Sequence, residues 1–193
     1  GYLGPLLPGA RGRLASLPRN PSSHGMATDP QAVLEKLDRG MSARLTLVLA
    51  PGGSPDGSRE MLRRWLEGRT WPCVHHSLTA ADNAAGRFLA NLAGALRPLL
   101  PGEVPVPSAD DVALLDATAE LLNALLDVHE DFALVLEDYH VITAATVHAA
   151  VTLMVDYPPP RMHLYLISRN VPPLPLPRLR VRRQLVEIDL RAR

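Results

Sequence analysis

Five short apolar runs punctuate the chain, and they limit its fold more than any other feature. They are RLTLVLA (44–50), CVHHSL (73–78), the start of FALVLEDYH (132–140), the start of MHLYLISRN (162–170) and QLVEIDL (184–190). The start of FALVLEDYH is uninterrupted by a polar residue and LTLVLA holds only Thr46, and a near-continuous run of strand length suits a strand buried on both faces. Longer segments with a helical period separate the runs. Strands alternating with helices predict an α/β fold: a mainly parallel sheet of about five strands, with helices on both faces in three layers.

The helical segments carry their own punctuation. Asp29 stands as an N-cap before Pro30; Val33, Leu34 and Leu37 then share a face, and Gly40 is expected to stop the helix. A second helix is expected over 59–67, closed by Gly68, and a third over 83–100 with Phe88, Leu89, Leu92 and Leu96 on one side. After the loop GEVPVPSADD, Ser108 or Asp110 is placed to cap a fourth helix. Its wide apolar stripe holds Leu114, Leu115, Leu121, Leu122, Leu125 and Leu126. A fifth spans 144–156. The proline-rich PPLPLPR (172–178) reads as a stiff loop, with a polyproline docking segment as the alternative. Residues 1–28, rich in Gly, Pro, Ser and Arg and without periodicity, read as a disordered leader, which leaves 29–193 as the domain.

Composition removes several function classes. Twenty acidic residues balance twenty basic ones, so no bulk charge draws the chain to nucleic acid or an anionic membrane. Cys73 is the single cysteine, which rules out an internal disulfide or a cysteine-cluster metal site and fits a reducing cytoplasm. No apolar run is long enough to span a bilayer. The histidines show no metal-ligand spacing; adjacent His75 and His76 on a strand would point to opposite faces.

In an open α/β sheet, ligands bind where strands end at the carboxyl edge. Three strand ends here are polar in a suggestive way. The first enters APGGSPDGSRE, whose Gly52 and Gly57 have the G-x-x-x-x-G spacing of a phosphate loop, with Gly53 between them. A working loop follows its last glycine with Lys and then Ser or Thr, for phosphate and Mg2+ respectively. Here those places hold Ser58 and Arg59, and Lys36 is the only lysine in the chain. Ser58 offers a hydroxyl to Mg2+ and Arg59 a cation to phosphate, each from the other's place. The third strand ends in Glu137 and Asp138, the form of an acidic pair that orients Mg2+ and polarises water. The fourth ends in Ser168-Arg169-Asn170, which puts Arg169 near a terminal phosphate. Singly, each reads as well as a turn, an exposed acidic strand end or a surface arginine. In this order they form the constellation of a P-loop NTPase.

Four ordered stretches carry a resemblance. They are LVLAPGG…GSREMLRRW, HHSLTAADNAAGRFLANLAGAL with its Asp82-Asn83 pair, LVLEDYHVI, and LISRNVPPLPLPRLRVRRQLVEIDL. Over residues 29–193 the chain resembles the N-terminal NTPase module of MalT-like, LuxR-type ATP-binding transcription regulators, a branch of the STAND class. The resemblance implies the strand order of the additional-strand P-loop class. It assigns phosphate cradling to Gly52 through Gly57, Mg2+ and water to Glu137 and Asp138, and nucleotide sensing to Arg169. It implies ATP or ADP with Mg2+ as cofactor, and further regulator domains or self-association as partners. Direct DNA contact would belong to parts absent from this chain. The altered loop makes the expected function a nucleotide-binding switch with weak or no hydrolysis. A protein-interaction scaffold and an active ATPase are the alternatives.

Overall fold

The computed structural model describes residues 29–51, 58–102, 110 and 113–191. Five strands form one sheet in the order β2-β3-β4-β1-β5: β1 (Leu45–Leu49), β2 (Cys73–Ser77), β3 (Phe132–Glu137), β4 (Met162–Ser168) and β5 (Leu185–Asp189). Every neighbouring pair is parallel. The expected fold class is therefore the observed one, and the strand order is the one the resemblance implies.

The period of two along each strand sorts the core into two halves. Leu45, Leu47, Leu134, Leu136, Leu164 and Leu166 point to one face. They meet α3 (Ala85–Leu96), α4 (Leu114–Leu125), α5 (Ala145–Asp156) and the short α6 (Leu176–Val181). Val48, Val135, Tyr165, Ile167 and Ile188 point to the other, where α1 (Pro30–Arg39) and α2 (Ser58–Glu67) bring Val33, Leu37, Leu62, Trp65 and Leu66. Strands β1, β3 and β4 are buried along nearly all their length because helices cover both sides. Edge strand β2 alternates exposed and half-buried positions instead.

Several local expectations change. The helix expected over 83–100 begins as a 3-10 turn at Ala80–Asn83, restarts as α3 at Ala85 and ends in a second 3-10 turn at Arg97–Leu99. The break falls at Ala84, whose backbone is extended. Its cause is that the Asp82 and Asn83 side chains bond outside a regular helix. Gly40 closes α1 as expected, but with φ −57° rather than a left-handed turn, and the chain tightens into a 3-10 turn over Gly40–Ser42. Glycine is needed there for close approach, since a Cβ would collide with Thr46 Oγ1 and come within 2.9 Å of the Tyr165 hydroxyl.

The connector read as a stiff loop contains α6. Pro175 precedes it and Pro177 sits in its first turn, where a missing N–H costs nothing, while Leu176 and Leu179 are buried. Asp110 does not cap α4: the N-cap is Ala113, without a side-chain capping bond, and Asp110 instead accepts the Ala113 N–H at 2.9 Å just before the helix. Leu115 and Leu126, assigned to the buried stripe of α4, are 43% and 56% exposed. They sit at the edges of a stripe narrower than the sequence suggested. Residues 1–28, the loop with Gly52, Gly53 and Gly57, and Ser108 lie outside the described residues.

Candidate nucleotide site at the carboxyl edge of the sheet

With β4 between β1 and β3, the exit of β1, the acids ending β3 and the polar end of β4 share one edge. Ala50 leaves β1 with its N–H donated to Ser168 O at 2.9 Å, which fixes the exit of β1 against the end of β4. After the glycine segment α2 begins at Ser58, one residue before the expected start. The helix is aimed from its other end. Trp65 Nε1 donates to Asp38 Oδ1 at 3.1 Å, and Arg69 pairs with the same carboxylate at 3.1 Å while lying 4.4 Å over the Trp65 ring. The Trp65 ring also packs 5.5 Å from that of Tyr165, whose hydroxyl donates to Leu37 O at 3.0 Å. Burial raises the Tyr165 pKa, so the phenol stays a donor. This aromatic stack sets the direction of α2. Ser58 and Arg59 thus stand at the amino end of α2.

The two acids, adjacent in sequence, face different spaces. Glu137 is the last residue of β3, and its carbonyl accepts the Leu78 N–H at 2.9 Å. Its side chain lies on the α2 face and is bonded to His75 Nε2 at 2.5 Å. Both line a cavity of about 410 Å³ floored by Leu62, Leu66 and Val135. Glu60 and Arg63 of α2 lie on the same cavity, paired with each other at 2.9 Å. Asp138 has left the strand in the left-handed region, with φ 60° and ψ 38°. It lines a separate small cleft with Pro51, His140, Ser168 and Arg169.

Arg169 is exposed at that cleft, and Ser168 Oγ turns back to donate to Asn170 O at 2.6 Å. The structure thus brings Asp138 and Arg169 together beside the β1 exit and places Glu137 one space away, against His75. Arg180, an arginine of the matching stretch without an assigned role, forks onto Glu187 of β5 and holds the Glu187 carboxyl below its usual range.

Sequence reasoning missed His75 as the partner of Glu137, because no local spacing connects residues 62 apart. It also missed the support behind the acids. Tyr139 is buried, and its hydroxyl bonds His148 Nδ1 of α5 at 2.8 Å. Burial raises the Tyr139 pKa and is also the main reason His148 titrates below the ordinary histidine range. Asp82 is fully buried beside β2. Burial alone would raise its pKa, but the Thr79 N–H, the Asn91 amide and His76 together hold it below the aspartate range. Among the described residues, no cluster of three or more His, Cys, Asp or Glu side chains is arranged to hold a metal.

Comparison with known proteins gives the family and the fold. The HTH-type transcriptional regulator MalT of Serratia proteamaculans is 35% identical over 164 residues, covering 81% of this chain. This chain belongs to the MalT family and has the P-loop NTPase fold. The chain spans 18% of that regulator's length. No family model matches it. In fold, the module is similar to Cdc6p of Pyrobaculum aerophilum, with a TM-score of 0.54 and 17% identity over 83% of this chain and 44% of that one. A chain of the Drosophila ORC complex bound to AT-rich DNA and Cdc6 gives a TM-score of 0.51 and 14% identity, over 84% of this chain and 57% of that one. No helix among the module's described residues is long and apolar enough to cross a membrane.

Proposed function

We propose that the MalT-like module is a cytoplasmic nucleotide switch of a transcriptional regulator, binding ATP or ADP with Mg2+ and hydrolysing weakly or not at all. The observation that carries this reading is the sheet order. It sets the β1 exit, Asp138 and Arg169 around one cleft, with Glu137 and the start of α2 alongside. Phosphate would rest against Gly52, Gly53, Gly57 and the amino end of α2, where helix N–H groups favour an anion. Arg169 would meet the terminal phosphate, and Asp138, in the same cleft, would be the carboxylate nearest to Mg2+, while Glu137 faces the neighbouring cavity and would reach the ion only on leaving His75; Ser58 at the start of α2 would add a hydroxyl. Bound there, Mg2+ would neutralise phosphate charge.

Weak turnover has two supports. Lysine and the following hydroxyl are replaced by Ser58 and Arg59, so the strongest charge-assisted contacts are gone. One carboxylate oxygen of Glu137 is also engaged by His75. Signalling would pass to further domains of a larger regulator or to another copy, with no DNA contact from this module.

Thermal unfolding with and without ATP, ADP and Mg2+ tests the reading. A nucleotide at about a hundred times its Kd adds about 2.7 kcal/mol and raises Tm visibly. No shift at millimolar nucleotide overturns the switch. The Glu137–His75 pair favours a second reading, in which the acid serves structure and the module is a protein-interaction scaffold. That reading expects no nucleotide shift and lower stability in His75→Ala. Steady phosphate release by the bound form would instead support an active ATPase.

A further inference from the structure

At the amino edge of the sheet, opposite the strand ends that carry the acids, arginines from three separate places converge. Arg39 ends α1, Arg180 lies in α6, and Arg183 follows α6 just before β5. With Ser42, which precedes β1, they line a cavity of about 390 Å³ floored by Leu185 and Val186. A space of that size takes a small molecule. No acid among the described residues lines it. Glu187, nearby, is held by two hydrogen bonds from Arg180, and Lys36 also acts on it. Arg39 and Arg183 form no ion pair among the described residues.

Like charges gathered on one cavity repel, and helix ends account for only some of them. Arg39 and Arg180 sit in last turns, where a cation offsets the exposed carbonyls. Arg183 has no such account. Its φ of 55° lies in the left-handed region, where a side chain is strained and glycine is not. Such outliers gather at ligand clamps, where the strain is part of the function. The position is fixed from both sides. Arg183 N–H bonds Arg180 O at 3.1 Å, and Gln184 N–H bonds Leu179 O at 2.9 Å. Gln184 O in turn accepts the Arg44 and Leu45 N–H groups at 2.9 and 3.2 Å, which ties the turn to β1.

We infer that this corner is a binding site for a small multivalent anion, a molecule with clustered phosphate or carboxylate oxygens, gripped by Arg39 and Arg183. Ser42 is a further donor, and Leu185 and Val186 give the site an apolar floor. Arginine suits clustered anionic oxygens because its planar fork donates two parallel N–H bonds. The site lies apart from the nucleotide cleft and does not depend on it.

The test is thermal unfolding of the full chain at constant ionic strength and without Mg2+, titrated with pyrophosphate and, separately, with citrate. At least one probe is expected to raise Tm, and the larger shift identifies phosphate or carboxylate as the ligand chemistry. Arg183→Gly is expected to act in two directions: a higher Tm without probe, as strain is relieved, and about tenfold weaker probe affinity, the scale of one charge-assisted contact. Arg39→Gln should weaken the probe to a similar degree. Arg97→Gln, at an exposed position just past α3, should leave probe affinity unchanged. No shift with either probe overturns the inference, as does full probe affinity in Arg183→Gly. An equal loss in Arg97→Gln reduces the effect to net charge and overturns the site. A loss in Arg169→Ala with none in Arg183→Gly moves the anion to the nucleotide cleft, which overturns the inference and leaves the switch standing. A chain whose probe binding needs Arg183 but whose Tm ignores nucleotide loses the switch and keeps the inference.

Discussion

Asp82 shows how much a single side chain in this module can do without touching a ligand. It is fully buried and held in its charged form by a backbone N–H, an amide and a histidine. Its folded pKa lies below the unfolded one, so its contribution is fully present above about pH 4 and lost as pH falls through the depressed value. Asp82→Asn should lower stability at neutral pH by about 1–3 kcal/mol. It should also flatten the loss of stability on acidification below about pH 4, read as urea midpoints between neutral and acid pH. A variant with the wild-type acid slope would show that the carboxylate is not the group responsible.

Gly40 makes the opposite point, since its function is to have no side chain. In Gly40→Ala the new Cβ meets Thr46 Oγ1 and the Tyr165 hydroxyl, both buried. The expected cost is about 1–3 kcal/mol by denaturant unfolding, the range for overpacking a tight core. A neutral result would mean that α1 shifts freely on the sheet. In the sequence both residues look like ordinary punctuation, an acid before a helix and a glycine after one. Their partners, Asn91 and His76 for one and Thr46 and Tyr165 for the other, come from other elements.

At the scale of elements, the strands were legible and the turns between them were not. Short apolar runs located all five strands to within one to three residues; for β1, β3 and β4 the signal was burial on both faces, and for β2 and β5 it was strand length between turn and proline signals. The turn at 80–84 was read as helix because its side-chain bonds to distant backbone cannot be seen in a local pattern. Helix α6 was read as loop because prolines break helices everywhere except the first turn. Its end carries a further prediction. Arg183 closes α6 with φ 55°, while Gln184 N–H bonds Leu179 O at 2.9 Å, a position that favours glycine. Arg183→Gly should relieve the left-handed strain and stabilise by about 0.5–1 kcal/mol. Destabilisation would instead assign the Arg183 side chain a contact worth more than the strain.

For the whole molecule, the open question is whether the fold still presents a usable phosphate site. Ser58→Lys with Arg59→Thr restores the lysine and hydroxyl pattern at the start of α2. It is expected to raise the Tm shift given by Mg·ATP by several degrees over that of the unmodified chain, as a gain of about 1–3 kcal/mol in binding would. If the double variant folds normally and the shift does not grow, the cleft at Pro51, Asp138 and Arg169 is not a phosphate site, and the scaffold reading gains. Lateral exposure fits either outcome: edge strand β2 and the cavity between it and α2 leave His75 and Cys73 reachable from outside.

The sequence by itself determined the layered α/β class, the five strands and the placement of the glycine segment, acids and Arg169 at strand ends. Those follow from local chemistry: burial on both faces, helical period and the direction of the chain. Only the tertiary structure decided that Glu137 bonds His75 while Asp138 turns toward Arg169. A carboxylate's partner depends on which strands become neighbours. Sheet order brings residues more than sixty positions apart into contact, and no local pattern encodes it.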